Sequence, residues 1–293
     1  MSDADGGQAI TLRDGRRLGY AEYGSPAGRP LFLFHGFPNS RLLARLFTQA
    51  AVRRGVRIIA LDRPGFGLSD FKRGRTLAGW PDDVVEAADA LGIDRFAVLG
   101  YSGGGPYAAA CAARIPQRLT AVAIVSGVAP LCEGAAVRGF PLPARLFISV
   151  LRRLPWLSRP SLWLMGWSAR RNPERAVRTF ERSLPPVDKE ILSRPDVRPV
   201  IAADFAESFR QGSRAAAWEF RLYLRRWDFD LGAITLDVGL WQGEVDTLVP
   251  ASMGRYYAQT LPSCRARFFP GEGHYFIVDR MEEIETALFG GAR

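Results

Sequence analysis

Arg95-Phe96-Ala97-Val98-Leu99-Gly100-Tyr101-Ser102-Gly103-Gly104-Gly105-Pro106 is the stretch on which the fold turns. It opens as a short apolar run, and from Pro106 to Arg114 the composition becomes helical, so a G-x-S-x-G stands between a strand and a helix. A serine on so tight a turn has a strained backbone, and the positions flanking it must be small, as Gly100 and Gly104 are. The turn lifts the hydroxyl above the strand ends. The helix that follows aims free N–H groups and the positive end of its dipole at the same place, and Pro106 suits its first turn. Ser102 is therefore a candidate nucleophile.

Outward from this turn, strand-like and helix-like stretches alternate. Strands are expected over 17–23, 31–34, 56–61, 95–100 and 119–126, with helices over 41–54, 80–91 and 106–114. Short apolar runs separated by helices predict a mostly parallel sheet covered on both faces. From about 127 to 231 the rhythm stops. That segment is rich in Arg and Trp, and its helical stretches are broken at Pro141, Pro155, Pro160, Pro173, Pro185 and Pro195. The alternation returns with a strand over 234–241, a helix over 251–261, a strand over 265–269 and a helix over 276–288. The expected organisation is an α/β core in two parts, 1–126 and 232–293, with a helical cap inserted at 127–231.

The chain has 293 residues, 47% hydrophobic and 24% charged, which suits one α/β domain carrying an insertion. No apolar run reaches the ~18 residues of a membrane span, so no integral membrane segment is expected. Residues 1–8, MSDADGGQ, lack the basic and apolar regions of a secretory signal, and a cytoplasmic location follows as an expectation. Cys111, Cys132 and Cys264 share no metal-ligand or CxxC spacing and read as reduced and structural. Net charge is +9, and all basic residues but Lys72 and Lys189 are arginine. Over 131–232, 17 Arg and Lys189 face 11 Asp and Glu, a balance of 18 − 11 = +7. The reading adopted is a solvated helical surface; docking on an anionic membrane is the alternative, and no nucleic-acid partner is expected.

A serine hydroxyl needs a base, and the chain offers two histidines. His35 ends the run at 31–34, upstream of the turn; His274 lies after the last apparent strand, in Gly271-Glu272-Gly273-His274. Both fall beyond strand carboxyl ends, where open α/β sheets bind ligands. The order nucleophile, acid, histidine selects His274. An acid to orient it should follow the penultimate strand, where both Glu244 and Asp246 stand. Spacing alone leaves that choice open. No cofactor is expected: neither Gly65-Phe66-Gly67 nor Gly103-Gly104-Gly105 continues into G-x-G-x-x-G, and no histidines or carboxylates stand at metal-ligand spacing.

Taken together the motifs resemble those of the α/β-hydrolase family over nearly the whole chain. They are His35-Gly36-Phe37-Pro38, Asp62 to Ser69 (DRPGFGLS), the Ser102 turn, the G-x-x-D-x-x-V-P ending at Pro250, and the terminal G-x-G-H. The resemblance implies an α/β-hydrolase fold with a serine nucleophile, and it places the acid at Asp246. It also implies an oxyanion hole built from the backbone N–H groups of Phe37 and Gly103. His35 then becomes structural, and the loop from Asp62 to Ser69 a turn lining the pocket. The HGFP and DRPGFGLS motifs are also similar to those of epoxide hydrolases and dehalogenases, which use an aspartate where this chain has Ser102. A serine attacking an alkyl carbon would form a stable ether, so acyl chemistry is favoured.

The expected activity is hydrolysis of a small, largely apolar ester through an acyl-enzyme. Alternatives are a cofactor-free haloperoxidase-like reaction, a carbon–carbon bond hydrolase or a peptidase, and, from another class, a ligand-sensing receptor on the same fold. The partner is a small-molecule substrate; the sequence leaves the oligomeric state open. Five of the seven tryptophans, Trp156, Trp163, Trp167, Trp218 and Trp227, lie in the insertion, where packing onto the core is their expected role.

Overall fold

The computed structural model describes residues 7–290, so most of the 1–8 stretch on which the reading of a missing secretory signal rests lies outside the described residues. Eight strands form one sheet: β1 (Gln8–Thr11), β2 (Arg17–Gly24), β3 (Arg29–Phe34), β4 (Val56–Leu61), β5 (Phe96–Tyr101), β6 (Leu119–Val125), β7 (Val238–Gly243) and β8 (Cys264–Phe269). Their order is β1-β2-β4-β3-β5-β6-β7-β8. β2 is antiparallel to both neighbours, and the rest run parallel. The sequence reading missed β1, whose four residues, QAIT, are too few to show a period. The strand expected from 234 begins only at Val238. Ile234 is apolar because it packs into the core from the loop before β7, not because it joins the ladder.

The helices around the sheet are α1 (Thr48–Arg54), α2 (Trp80–Ala90) and α3 (Gly105–Arg114), then after the insertion α11 (Ala251–Thr260) and α12 (Ile277–Phe289). The helix expected over 41–54 is split. Residues 41–47 form a 3-10 turn, with the Ser40 side chain accepting from Leu42 N, before α1 begins. Between β6 and β7 lie α4 (Gly134–Val137), α5 (Leu142–Arg153), α6 (Ser158–Arg171), α7 (Pro173–Glu181), α8 (Pro186–Ser193), α9 (Arg198–Ser208) and α10 (Arg214–Tyr223).

The central strands are buried on both faces, which is why they read as unbroken apolar runs. Phe32 and Phe34 join a core with Trp80 and Val84 of α2 and Tyr107 of α3; Leu31 and Leu33 pack on the other side with Ala51 of α1 and Ile284 of α12. The connections from β3 lead outward to β4 and then back across to β5, so the strand order reverses between β3 and β5. Phe34 pairs with Gly100 there, which sets the loops after β3 and β5 side by side at the carboxyl edge.

Leu33 is fully buried at this central position. Leu33→Ala is expected to cost about 2–5 kcal/mol through lost burial and a residual cavity. Val52→Ala, on the exposed face of α1, should stay within about 0.5 kcal/mol. Urea denaturation of both variants checks the contrast, and equal midpoints would contradict this account of the core.

Candidate active site

Ser102 has φ 54°, in the left-handed region that a residue with a Cβ seldom occupies. The turn persists because its neighbours leave no room for anything else. A Cβ on Gly100 would strike the Gly104 carbonyl and, at 2.8 Å, the Ala108 Cβ, while one on Gly104 would strike the Phe34 carbonyl. Gly36 closes over Ser102, since a Cβ there would stand 3.3 Å from Ser102 Cβ. Gly103 lies equally close to the β3 loop: a Cβ on it would sit 2.7 Å from Phe37 Cβ and 3.1 Å from Phe37 N. Among the described residues the Phe37 N–H has no protein acceptor.

At the far end of the same edge, His274 Nδ1 lies 2.7 Å from Asp246 Oδ2. Asp246 follows β7 and His274 follows β8, so adjacent parallel strands deliver the pair. The second carboxylate oxygen is held by the N–H groups of Leu248 at 2.9 Å and Val249 at 2.8 Å, which fixes the orientation of the carboxylate. Glu244, the other acid that spacing allowed, instead pairs with Arg255 at 3.1 Å on the surface. Burial pulls the His274 pKa down, but the charge and hydrogen bond of Asp246 outweigh it, and the net shift is upward. Ser102 and His274 line one cavity; among the described residues no hydrogen bond joins their side chains.

His35 behaves differently. Its Nε2 accepts from Arg63 N at 3.3 Å and its Nδ1 donates to the Gly36 carbonyl at 2.9 Å, so both ring nitrogens are occupied. Burial and the neighbouring Arg63 push its pKa well down, which keeps it neutral. The loop from Asp62 to Ser69 does not line the cavity, contrary to the sequence expectation. It lies behind, with Asp62 accepting from Arg41 and Leu68 N, and with Arg63 donating to the His35 carbonyl and, at 2.8 Å, to that of Gly36. An arginine had to be carried inward to brace those two carbonyls.

Three buried carboxylates that sequence reasoning missed come from the insertion. Glu219 of α10 binds Arg63 at 2.5 Å, Arg75 at 3.0 Å and the Tyr223 hydroxyl at 2.7 Å; that hydroxyl also lies 2.8 Å from the Gly103 carbonyl. Asp204 of α9 accepts from Asn39 Nδ2, Ser40 N and Ser40 Oγ, just after Phe37. Asp188 of α8 accepts from His274 N at 2.9 Å and Tyr275 N at 2.8 Å. No local motif marks these acids, because each meets a partner more than 80 residues away in the chain.

The cavity above Ser102 measures about 230 Å³. The core contributes Phe37, Tyr101, Val249 and Met253, and the insertion adds Phe140, Ile148, Phe180 and Phe220. None of the insertion's five tryptophans reaches it. Trp218 donates to the Arg75 carbonyl and Trp227 packs beside Tyr257, as expected of packing residues, but Trp156, Trp163 and Trp167 are 57%, 59% and 46% exposed. For those three the expected packing role is corrected: they point away from the core. Among the described residues no three His, Cys, Asp or Glu side chains are grouped to hold a metal ion.

A family model described as alpha/beta hydrolase fold matches residues 29–280. A bifunctional esterase/perhydrolase of Acinetobacter calcoaceticus is 29% identical over 292 residues, covering 97% of this chain and 99% of its own length. A dihydrolipoyllysine-residue acetyltransferase component of an acetoin cleaving system from Cupriavidus necator is 40% identical over 116 residues. That match takes in 39% of this chain, which thus spans only 30% of that larger relative. Among solved structures, a hydrolase from Pseudomonas aeruginosa superposes with a TM-score of 0.70 at 21% identity, over 99% of this chain and 100% of that one.

Glu219 generates a test of the anchoring. Burial alone would raise its pKa, yet Arg63 and Arg75 hold it down at about 2. Removing its charge leaves two buried guanidinium groups uncompensated, so Glu219→Gln should cost about 3–5 kcal/mol. Because the folded-state pKa is depressed from 4.5, the contribution of the carboxylate is complete above that value and declines as pH falls toward 2. Denaturation of wild type and variant across pH should therefore give a gap that is constant at neutral pH and narrows in acid. A gap that widened in acid would contradict the assignment.

Proposed function

Because the chain belongs to the α/β-hydrolase family, we propose that it is a serine hydrolase that cleaves a small, largely apolar ester through an acyl-enzyme. One observation carries the reading. His274, joined to Asp246 at 2.7 Å, lines an apolar cavity together with Ser102, which stands at φ 54° on a tight turn.

The carboxylate of Asp246 can only accept, so the imidazole proton resides on Nδ1 and Nε2 is left bare as a base. In the proposed sequence Nε2 takes the proton from Ser102 Oγ as that oxygen attacks the ester carbonyl. The oxyanion of the tetrahedral intermediate is received by the N–H groups of Phe37 and Gly103. Preorganised donors there are worth about 3–4 kcal/mol each in the transition state, by analogy with other holes of this type. His274 then protonates the departing alkoxide, leaving an acyl group on Ser102. Water, activated by the same base, attacks it and restores the enzyme.

A volume of about 230 Å³, with Leu131, Phe140, Ile148, Phe220 and Met253 on its walls, favours a compact apolar group on the substrate. The insertion roofs this cavity through Phe140, Ile148, Phe180 and Phe220, which supports its role as a cap. A second reading, perhydrolysis, is favoured by the esterase/perhydrolase relative that aligns over 97% of the chain. Hydrogen peroxide would then replace water as the acceptor of the acyl group, with the same residues at work.

Treatment with an active-site-directed phosphonate followed by peptide mass spectrometry should find the adduct on Ser102. Asp246→Asn should lower ester turnover by orders of magnitude, about 10⁴ where the wrong tautomer results, whereas Glu244→Gln should be near neutral. An adduct elsewhere with Ser102 unmodified, or the reverse pattern for the two acids, would sink the assignment.

The upward shift of His274 adds a pH signature. Since the neutral imidazole is the base, kcat/KM should fall on acidification with a midpoint above the ordinary histidine value of 6.5. In Asp246→Asn the burial that lowers the pKa persists without the charge that raised it, so the midpoint should move down. A midpoint that stayed put in the variant would show that another group is being titrated.

A further inference from the structure

We propose that the outer face of α5, the turn at 155–157 and α6 docks on an anionic lipid surface, so that the proposed hydrolase draws its ester from the lipid side. Docking itself does not depend on the hydrolase reading; only the origin of the substrate does.

The first observation is where apolar surface is exposed. Among the described residues, all the strongly exposed large apolar side chains other than Val52 and Val245 lie between Leu142 and Trp167. On α5, Leu142, Leu146, Phe147 and Val150 share an outer face while Leu151 is buried beneath them. On α6, Trp163, Leu164 and Trp167 point outward, with Leu162, Gly166 and Ala169 turned in. Soluble monomers seldom leave contiguous apolar patches beyond a few hundred Å² without a partner.

Charge identifies the partner. Between Glu133 and Glu174 the chain carries seven arginines and no Asp or Glu. Arg145, Arg152, Arg153 and Arg159 are exposed and form no ion pair among the described residues. A second copy seated on this face by a two-fold axis would set arginines against arginines, with no carboxylate in the segment to answer them. Anionic headgroups supply that missing charge, and exposed Trp, Leu and Phe beside Arg make an interfacial surface. At 12 and 14 residues α5 and α6 are too short to span a bilayer, and no helix of the described residues is long and apolar enough to cross one. The face lies on the membrane.

The third observation connects this face to the candidate site. Ile148 of α5 lines the cavity above Ser102 while Phe147 faces outward, so one helix, about 10–12 Å across, separates the two. Beside it, a groove of about 850 Å³ is bordered by Leu164, Met165, Trp167, Phe205 and Phe180, the last of which also lines the cavity. A docked protein would thus hold the bilayer next to a groove that shares a wall with the cavity.

The test is co-flotation of the full chain with vesicles of phosphatidylcholine alone and of phosphatidylcholine mixed with phosphatidylglycerol. Wild type should float with the anionic vesicles at low salt, far less with neutral ones, and less at about 0.5 M salt, where surface charge is screened. Each arginine near an anionic surface adds about fivefold to partitioning, so R152Q/R153Q should bind about 25-fold more weakly. F147S/W156S should lose the binding that survives high salt. None of the four residues touches the cavity, so both variants should hydrolyse a soluble ester at the wild-type rate, which also reports that they fold. The proposal is overturned if wild type does not float with anionic vesicles, or if R152Q/R153Q floats as well as wild type. It is equally overturned if wild type sediments as a dimer that F147S/W156S dissolves, with no vesicle binding. A chain that floats but turns over no ester would keep the docking and remove the hydrolase reading; one that cleaves soluble esters without floating would do the reverse.

Discussion

Glu219 is the group on which the arrangement of the site depends. Its carboxylate sits fully buried between Arg63 and Arg75. Arg63 spends its remaining donors on the carbonyls of His35 and Gly36, so the charge of an insertion residue is transmitted to the backbone immediately before Phe37. Tyr223, one helical turn beyond Glu219, brings its hydroxyl to the Gly103 carbonyl on the other side. The two backbone segments around Phe37 and Gly103, proposed to offer N–H groups to an oxyanion, are thus braced from one carboxylate. A buried ion pair of this kind is weak evidence for stability, because desolvation offsets attraction, but it is intolerant of losing one partner. Here that intolerance secures geometry.

The same logic recurs at the other loops. Asp204 grips Asn39 and Ser40 beyond Phe37, Glu207 reaches Arg41 at 2.6 Å, and Asp188 fixes the peptide N–H groups of His274 and Tyr275. A Cβ at Gly273 would run into the Asp188 carboxylate, which explains why the residue before the histidine has no side chain. The insertion therefore acts as a frame on the loops as well as a roof on the cavity. Its displacement would loosen the backbone at both ends of the carboxyl edge.

What the sequence made legible follows from how local each signal is. The Ser102 turn, the strands at the centre of the sheet and the carboxyl-edge positions of His274 and Asp246 all depend on periodicity or on a few adjacent residues. β1 escaped because four residues carry no period, and the start of β7 was misjudged because loop residues can be apolar for packing reasons. The choice between Glu244 and Asp246 needed resemblance, since both follow the same strand; in the structure it comes down to which carboxylate is turned inward by the N–H groups of Leu248 and Val249. Asp188, Asp204 and Glu219 were invisible for a different reason. An acid on a helix reads as solvated surface unless its distant partner is known, and nothing near these residues in the chain names Arg63, Ser40 or the His274 backbone.

That blindness also concealed the sense of the insertion's charge. Its excess of arginine looked like a diffuse property of solvated helices. In the structure four of the insertion's carboxylates, Asp188, Asp204, Glu207 and Glu219, are drawn inward to Arg41, Arg63, Arg75 and the loop N–H groups, while Arg145, Arg152, Arg153 and Arg159 remain outside. Anchoring the frame to the core consumes negative charge on one side and so leaves the opposite side unopposed. The apolar residues are split the same way: Ile148 and Phe220 line the cavity while Phe147, Trp156 and Trp163 face out. An insertion needed only as a lid would have no reason to put large aromatics on its outer surface beside arginines that have no ion-pair partner among the described residues. The two-sided distribution is what a segment would need if it met the catalytic core on one face and an anionic, apolar phase on the other.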